Sequence, residues 1–524
     1  MLKRLSLIQT LLFLLLGTAQ AQNRTITIDA GKPKGELNTV FNECVGAGRA
    51  NEGLRADWQR QLRMAKEQLG FRYIRMHGIL HDDMGVYFED GAGKPIYNWQ
   101  YIDELYDFLI SIKVRPFVEF GFMPKALASA DKMLSFWFWK PNITPPKDYG
   151  KWDDLVKALV THWTERYGEA EVKQWYFEVW NEPNLKNIFW VGTQDDYFRL
   201  YKETATAIKA ISPAYRVGGP ATAGNAWIPE FINYCNTNKV PVDFVSTHTY
   251  GNDAAIQKSD NEETAISKRK NAVSGDVKKS RAQIDKSSMP ALPLHYTEWN
   301  SSSSFNDHIH DHYRQAAYIL EKVKRVGNSA SSFSYWTFTD IFEEDGPRQT
   351  PFDGDFGLIN YQDIKKPAFY AYRYLNLLGK QELQNADTSS WICRDNKGGI
   401  QVLLYDFTDK IFPSHADSKA FYSKIIAPGS KGKVNLVYKN LSPGKYTMTV
   451  YKTGYGANDP YTTYLQMGAP SQLTRPQVEL IKQKDNDVPV MTKTVVVGST
   501  KPVEESFELL ENDVILVTFK KVGA

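Results

Sequence analysis

Two glutamates stand where short apolar runs end. Glu182 lies in "WYFEVWNEPN", residues 175–184, and Glu298 in "LHYTEWNSS", residues 294–302. Each is flanked by aromatic and amide side chains: Trp180 and Asn181 beside the first, Tyr296, Trp299 and Asn300 beside the second. A single Glu at a strand end is most often a solvated or salt-bridged loop residue, but ionised carboxylates are rarely enclosed by apolar groups unless that environment is used. A matched pair fits acid/base and nucleophilic work on one bond. In glycosidic-bond hydrolysis one carboxyl group protonates the leaving oxygen while the other attacks the anomeric carbon or activates water. Carboxyl groups about 5–5.5 Å apart give retention of configuration, and about 6.5–9.5 Å gives inversion.

Such a pair needs a scaffold that brings two distant strand ends together. Between about residues 40 and 375, short β-branched or aromatic runs alternate with helical patterns. Eight runs read as strands: "FNECVGAG", "FRYIRMHG", "VRPFVEFGF", "KQWYFEVWN", "YRVGGPA", "DFVSTHTY", "LPLHYTEWN" and "SYWTFTDIF". Helical spacing puts Ile102, Leu105, Leu109 and Ile112 on one face, and Leu155, Leu159 and Trp163 on another. Gly70, Gly168, Gly327 and Gly379 follow such segments, where a left-handed C-cap favours glycine. Apolar strands alternating with helices imply a covered parallel sheet, and eight units imply an α/β (β/α)8 TIM barrel. An open doubly wound sheet would carry a GxGxxG turn after its first strand, which "GAGRANEG" does not match.

In such a barrel the site lies at the C-terminal strand ends. There the sequence sets His77 on strand two, Asn181 and Glu182 on strand four, His248 and Tyr250 on strand six, Glu298 on strand seven, and Trp336 then Asp340 on strand eight. Trp137 and Trp139 in "SFWFWK" follow strand three, and rings such as these and Trp336 stack on the apolar faces of pyranoses.

Beyond about residue 380, alternating runs such as "GIQVLLYDF", "KVNLVYKNL", "KYTMTVYKT", "TKTVVVG" and "NDVILVTFKKV" read as an antiparallel β-sandwich, which "RTITIDA" at 24–30 could join. No low-complexity linker separates it from the barrel, so a packed interface is expected. Residues 1–21 have the layout of a secretory leader, with Lys3 and Arg4 before an apolar stretch closing on Ala19-Gln20-Ala21; the stretch is too short to span a membrane. The expected organisation is a leader at 1–21, an N-terminal strand within 22–37, a barrel over 38–378 and a sandwich over 379–524. A balance of 63 basic to 60 acidic residues carries no footprint for nucleic acid or an anionic membrane. Three scattered cysteines, Cys44, Cys235 and Cys393, read as buried free thiols.

The segments around both glutamates resemble glycoside hydrolase family 39. "WYFEVWNEPN" is similar to its acid/base signature and "LHYTEWNSS" to its nucleophile segment; "IRMHG", "STHTY" and "YWTFTDIFEE" extend the likeness across 40–375, closest to the bacterial β-xylosidases. The resemblance implies a retaining enzyme with Glu182 as general acid/base and Glu298 as nucleophile. It implies that Asn181 bonds the sugar 2-hydroxyl, that His248 and Tyr250 orient Glu298, and that His77 binds sugar hydroxyls. Glu182 then needs surroundings that keep it protonated, and Glu298 needs donors, Tyr250 and His248 among them. Family 39 also holds α-L-iduronidases, whose anionic sugar calls for Arg or Lys. Here Glu343, Glu344 and Asp345 in "IFEEDGPRQTPF" oppose that, although Arg348 is near. Xylose is the expected sugar, with Glu343 or Glu344 accepting from its hydroxyls. Arabinopyranosides, glucosides, iduronides and a non-catalytic carbohydrate-binding role stay open. The expected partner is an oligosaccharide or glycoside, without nucleic acid or membrane; the chemistry calls for no cofactor or metal, and a homo-oligomer is compatible with the sequence.

Overall fold

The computed structural model describes residues 23–253, 271–410, 412, 415–498 and 501–523; the leader expected at 1–21 lies outside them. Eight parallel strands close into a ring in chain order: Cys44–Arg49, Tyr73–His77, Arg115–Phe120, Tyr176–Val179, Arg216–Thr222, Phe244–Tyr250, Leu294–Asn300 and Ser332–Tyr335. They are called barrel strands one to eight below. The first seven fall on expected runs, and the eighth overlaps its run, 334–342, at Ser334 and Tyr335. The eighth ends at Tyr335, so Trp336 begins the following loop instead of closing the strand.

A principal helix follows each strand: Ala56–Leu69, Gln100–Ser111, Tyr149–Tyr167, Gln194–Ile211, Ile228–Asn238, Ser274–Asp285, Arg314–Val326 and Pro367–Asn376. Their apolar stripes face the barrel. Ile102, Leu105 and Leu109 are buried, as are Leu155, Leu159 and Trp163, while Ile112 sits just past the end of its helix. The helix after strand four starts on a capping box, in which Asp196 N–H donates to Thr193 Oγ1 at 3.2 Å and the Asp196 carboxylate accepts from Thr193 N–H at 2.8 Å.

The glycine caps divide. Gly70 takes the left-handed conformation at φ 80°, ψ 12°, and Gly168 and Gly327 have positive φ without that full geometry. Gly379 is no such cap: it follows a helix that has already ended at Leu377, and it is glycine because a Cβ there would meet the Arg394 carbonyl carbon at 2.3 Å.

Arg24–Asp29 pairs with Ser430–Lys439, which pairs with Val503–Leu510. The first of these pairings is parallel, a departure from the purely antiparallel sandwich expected. Facing it is a seven-stranded antiparallel sheet running from Met491–Val497 through Gly444–Thr453, Val514–Lys521, Ile400–Tyr405, Ser390–Arg394 and Gln381–Leu383 to Pro33–Glu36. Ile26, Ile28, Val402, Leu436, Met448 and Phe519 fill the space between the two. The opposite face, with Trp391, Leu403, Tyr405 and Leu516, joins the core of the barrel. Tyr405 O–H donates across this junction to Glu321 at 2.9 Å, and strand Ile400–Tyr405 in the middle of the sheet is buried on both faces. All three cysteines are buried free thiols.

Candidate active site

A cavity of about 550 Å³ opens at the C-terminal end of the barrel and contains both glutamates. Strand four stops at Val179, and the chain turns through Trp180 at φ 70° and Glu182 at φ 46°. Non-glycine residues rarely adopt positive φ, and such strain collects at functional sites. Here it swings Glu182 off the strand and over the mouth, where its N–H is held by the Ala221 carbonyl at 2.8 Å. Glu298 comes from within strand seven. One oxygen of each carboxyl and one His248 nitrogen all lie within 4.8 Å of one another. That triple is compact enough to ring a cation, but Arg75 already fixes a positive charge 2.6 Å from Glu298.

The floor of the site is a buried charge network centred on Arg75 of strand two. Its guanidinium donates from Nε to Glu178 at 2.7 Å, from Nη1 to Glu298 at 2.6 Å and from Nη2 to Asn181 Oδ1 at 2.9 Å, and Nη2 lies 2.8 Å from Glu119. Arg75, Glu119 and Glu178 are shut off from solvent. Four carboxyl groups therefore crowd around one cation once Glu182 is counted.

The two central carboxyls differ in what holds them. Burial pushes Glu182 well above the usual carboxylate range; Glu298 and Asp253 add to this, and Arg75 opposes it weakly. Burial also raises Glu298, but Arg75 pulls it back, followed by His77 and the hydroxyl of Tyr250, which donates to Oε2 at 2.6 Å. The direct bonds from Arg75 and Tyr250 thus favour the ionised form of Glu298 over that of Glu182. His77 and His248 are neutral: burial and the nearby guanidinium drive His77 down to about 3 and His248 well below its usual value.

Most of the expected residues meet here. His77, Trp137, Asn181, Glu182, Tyr250, Glu298, Trp336 and Glu344 line the cavity. His77 Nδ1 is 2.7 Å from Glu119, and its Nε2 stands 3.7 Å from Glu298 and 3.6 Å from Glu344. One Glu344 oxygen is buried without a hydrogen-bond partner. Trp336 packs so closely on Gly46 that a Cβ there would sit 2.5 Å from the indole. Two expectations need correcting. His248 Nδ1 is 2.8 Å from Glu182 but 3.6 Å from Glu298, so this histidine serves the opposite carboxyl from the one assigned to it. Glu343 is turned out of the cavity by ion pairs with Arg49 at 2.7 Å and Arg55 at 3.0 Å. Arg348 is likewise withdrawn, its Nε 2.6 Å from Asp355, and Trp139 packs behind Trp137 at 5.2 Å between centroids.

Arg75, Glu119, Glu178 and Thr297 were missed as parts of the site. The signal was present in three of them: a charge at the centre of an apolar strand, in "YIRMH", "FVEF" and "YFEV", has no solvent to face and must find a partner. Leu185, Ile188, Phe189 and Phe136, which form an apolar wall beside Glu182, carry no comparable signal.

The family model described as "Glycosyl hydrolases family 39" matches residues 24–499. A β-xylosidase of Caldicellulosiruptor saccharolyticus is 39% identical over 504 residues, 94% of this chain and 98% of the relative. A β-xylosidase of Geobacillus stearothermophilus is 44% identical over 384 residues, 72% of this chain and 75% of the relative. The crystal structure of a monomeric β-xylosidase from Caulobacter crescentus CB15 superposes with a TM-score of 0.88 at 39% identity, covering 95% of this chain and 100% of that one.

Proposed function

The chain belongs to glycosyl hydrolase family 39 and is a glycoside hydrolase acting on O-glycosyl bonds, and from that premise we propose that it releases β-linked xylose, with retention, from the ends of xylo-oligosaccharides and from aryl xylosides. The observation that carries the reading is the asymmetric carboxyl pair: oxygens within 4.8 Å of each other, one carboxyl held by Arg75 and Tyr250, the other buried against a neutral imidazole. That spacing is too short to seat a water between the groups as inversion requires, and suits direct attack.

In the first step a Glu298 oxygen attacks the anomeric carbon as Glu182 gives its proton to the departing oxygen, forming a glycosyl ester. The charge on Glu298 is then gone, so Glu182 no longer faces an anion. In the second step Glu182 takes a proton from water, water attacks the same carbon, and the ester bond breaks to restore Glu298. Trp336 offers a face for the ring, and Asn181, His77 and Glu344 stand where sugar hydroxyls must be bonded.

The lining favours a neutral sugar. Among the described residues of the cavity wall there is no Arg or Lys to receive a uronate, while Glu344 faces inward, and burial and then Glu298 favour its neutral form, which can both donate to and accept from a sugar hydroxyl. Beside Glu182, where the leaving group must sit to be protonated, the wall is apolar: Phe136, Leu185, Ile188 and Phe189. An aromatic or alkyl aglycone is the natural occupant there. The three β-xylosidase relatives named above support xylose over other pentopyranoses, which a pocket separates by only about 1–3 kcal/mol per missing group.

A panel of aryl glycosides tests this, comprising β-xyloside, α-L-arabinopyranoside, β-glucoside and α-L-iduronide. The xyloside should be turned over fastest, and NMR should show β-xylose as the first-formed anomer; a first product of inverted configuration, or a better rate on iduronide, would refute the proposal. We also propose that residues 1–21 direct export, which N-terminal sequencing of the mature protein checks by starting at Gln22.

A further inference from the structure

Behind Glu182 runs a chain of hydrogen bonds that returns to Arg75. Glu182 Oε1 is 2.8 Å from Nδ1 of His248, whose Nε2 is 3.1 Å from Oγ1 of Thr297, the residue preceding the proposed nucleophile. Thr297 O–H donates to Glu178 Oε1 at 2.8 Å, and the other oxygen of Glu178 accepts from Arg75 Nε at 2.7 Å. Arg75, Glu178, His248 and Thr297 are all fully buried, so no solvent interrupts the chain.

The direction of every bond follows from its far end. A guanidinium can only donate, and a carboxylate paired with it can only accept. A threonine hydroxyl has one hydrogen, which goes to Glu178, so towards His248 the same oxygen can only accept. His248 therefore carries its hydrogen on Nε2. Being neutral, it presents a bare Nδ1 to Glu182, and two acceptors 2.8 Å apart repel unless one carries a proton.

We propose that Thr297 is a positioning residue: by fixing the Nε2–H tautomer of His248, it holds the proton of the carboxyl pair on Glu182 instead of Glu298. The proposal rests on the reading of Glu182 as general acid/base. It accounts for both half-reactions. Before the first step the bare nitrogen favours the protonated acid. After the proton has left, the same nitrogen faces a carboxylate and makes Glu182 a stronger base towards the incoming water. With the Thr297 hydroxyl removed, Nε2 loses its acceptor, the imidazole is free to adopt the Nδ1–H tautomer, and that hydrogen would stabilise ionised Glu182.

Other charges act on Glu182 from the surrounding strands and loops: Glu298, Asp253 and Glu119 raise it and Arg75 lowers it, while Glu344 lies close by and His77 acts on His248. None of these side chains is altered by a change at Thr297, so the comparison isolates the hydroxyl.

The test is the pH dependence of kcat/KM on a β-xyloside with a poor leaving group, which needs the acid. Thr297→Val is isosteric and removes the hydroxyl; Thr297→Ser keeps it. The expected result is a basic limb about 1 pH unit lower in Thr297→Val, a tenfold loss at pH values above the limb, with Thr297→Ser restoring the wild-type position. The position of a limb does not depend on how much of the enzyme is folded. Glu178→Gln gives a second route: its amide can donate to Thr297, which frees the hydroxyl to donate to His248 Nε2 and should move the limb the same way. A limb displaced by less than about 0.3 unit in both Thr297→Val and Glu178→Gln, or displaced equally in Thr297→Ser, overturns the inference. A wild type that cleaves no β-xyloside overturns the functional reading and this inference with it; an active wild type whose limb ignores Thr297 overturns this inference alone.

Discussion

Tyr250→Phe is the cleanest perturbation of the proposed nucleophile. The hydroxyl of Tyr250 donates to Glu298 Oε2 at 2.6 Å inside the barrel mouth, and its ring packs in a cluster with Trp336, Phe342 and Phe356. Phenylalanine keeps the ring and those contacts and removes one hydrogen bond. A buried hydrogen bond to a charged group is worth about 1.5–3 kcal/mol, and one pKa unit corresponds to about 1.36 kcal/mol. The bond is stronger to the ionised form of Glu298 than to the protonated one, so its loss penalises ionisation, and Glu298 must be titrated at higher pH. The expected shift of the acidic limb of kcat/KM is upward by about 1–2 units, because kcat/KM reports the free enzyme. Arg75 remains at 2.6 Å and keeps the shift from growing larger. Glu182 and Glu298 titrate together, so the limb belongs to the pair and not to one residue. The assay is steady-state hydrolysis of an activated aryl xyloside across the pH range, with circular dichroism to follow folding. An acidic limb that stays in place, or moves down, would show that the Tyr250 hydroxyl is not what keeps Glu298 ionised.

Glu182→Ala should lose about 10²–10⁴-fold on substrates with poor leaving groups and far less on activated ones; added azide should restore turnover and yield the β-configured glycosyl azide, and an α product would contradict retention. Arg75→Met keeps much of the side-chain volume but strands buried carboxylates, so urea unfolding should show a loss of about 3–5 kcal/mol, and a wild-type midpoint would refute the claim that Arg75 compensates them. Ile188→Asn, at a side chain 39% exposed beside Glu182, should raise KM for aryl xylosides several-fold while changing that for methyl xyloside little. Equal effects on both substrates would place the aglycone elsewhere.

The barrel was legible because its code is repetitive. Eight runs of buried strand, each followed by a helix with one apolar stripe, leave little freedom in how the sheet is covered. The accessory sheets were less legible where strands are short or their faces mixed. Gln381–Leu383 has three residues, and "VEESFELL" alternates acids with apolar side chains so that only one face reads as buried. Within the site, residue type located the loop after strand eight but could not tell Glu343 from Glu344. The distinction is made by Arg49 and Arg55, which lie nearly three hundred positions earlier in the chain and draw one neighbour outward.

The same holds for the chemistry. Glu182 and Glu298 are identical groups, and the types of the residues adjacent to them in sequence do not reveal their different tasks. The difference arises across strands. Strand two contributes a guanidinium and strand six a phenol to Glu298, so its negative charge is matched on both oxygens. Strand six also contributes an imidazole to Glu182, so two side chains of one strand serve different carboxyls: the bare nitrogen of His248 faces Glu182 and the hydroxyl of Tyr250 donates to Glu298. A period of two places His248 and Tyr250 on one face and suggests one shared target; their pairing with strand seven is continuous, the register shift falling before them at Thr297, so spacing alone does not tell the two targets apart. An acceptor and a donor two residues apart on one strand are thus divided between two acids, and with them the roles of proton carrier and nucleophile.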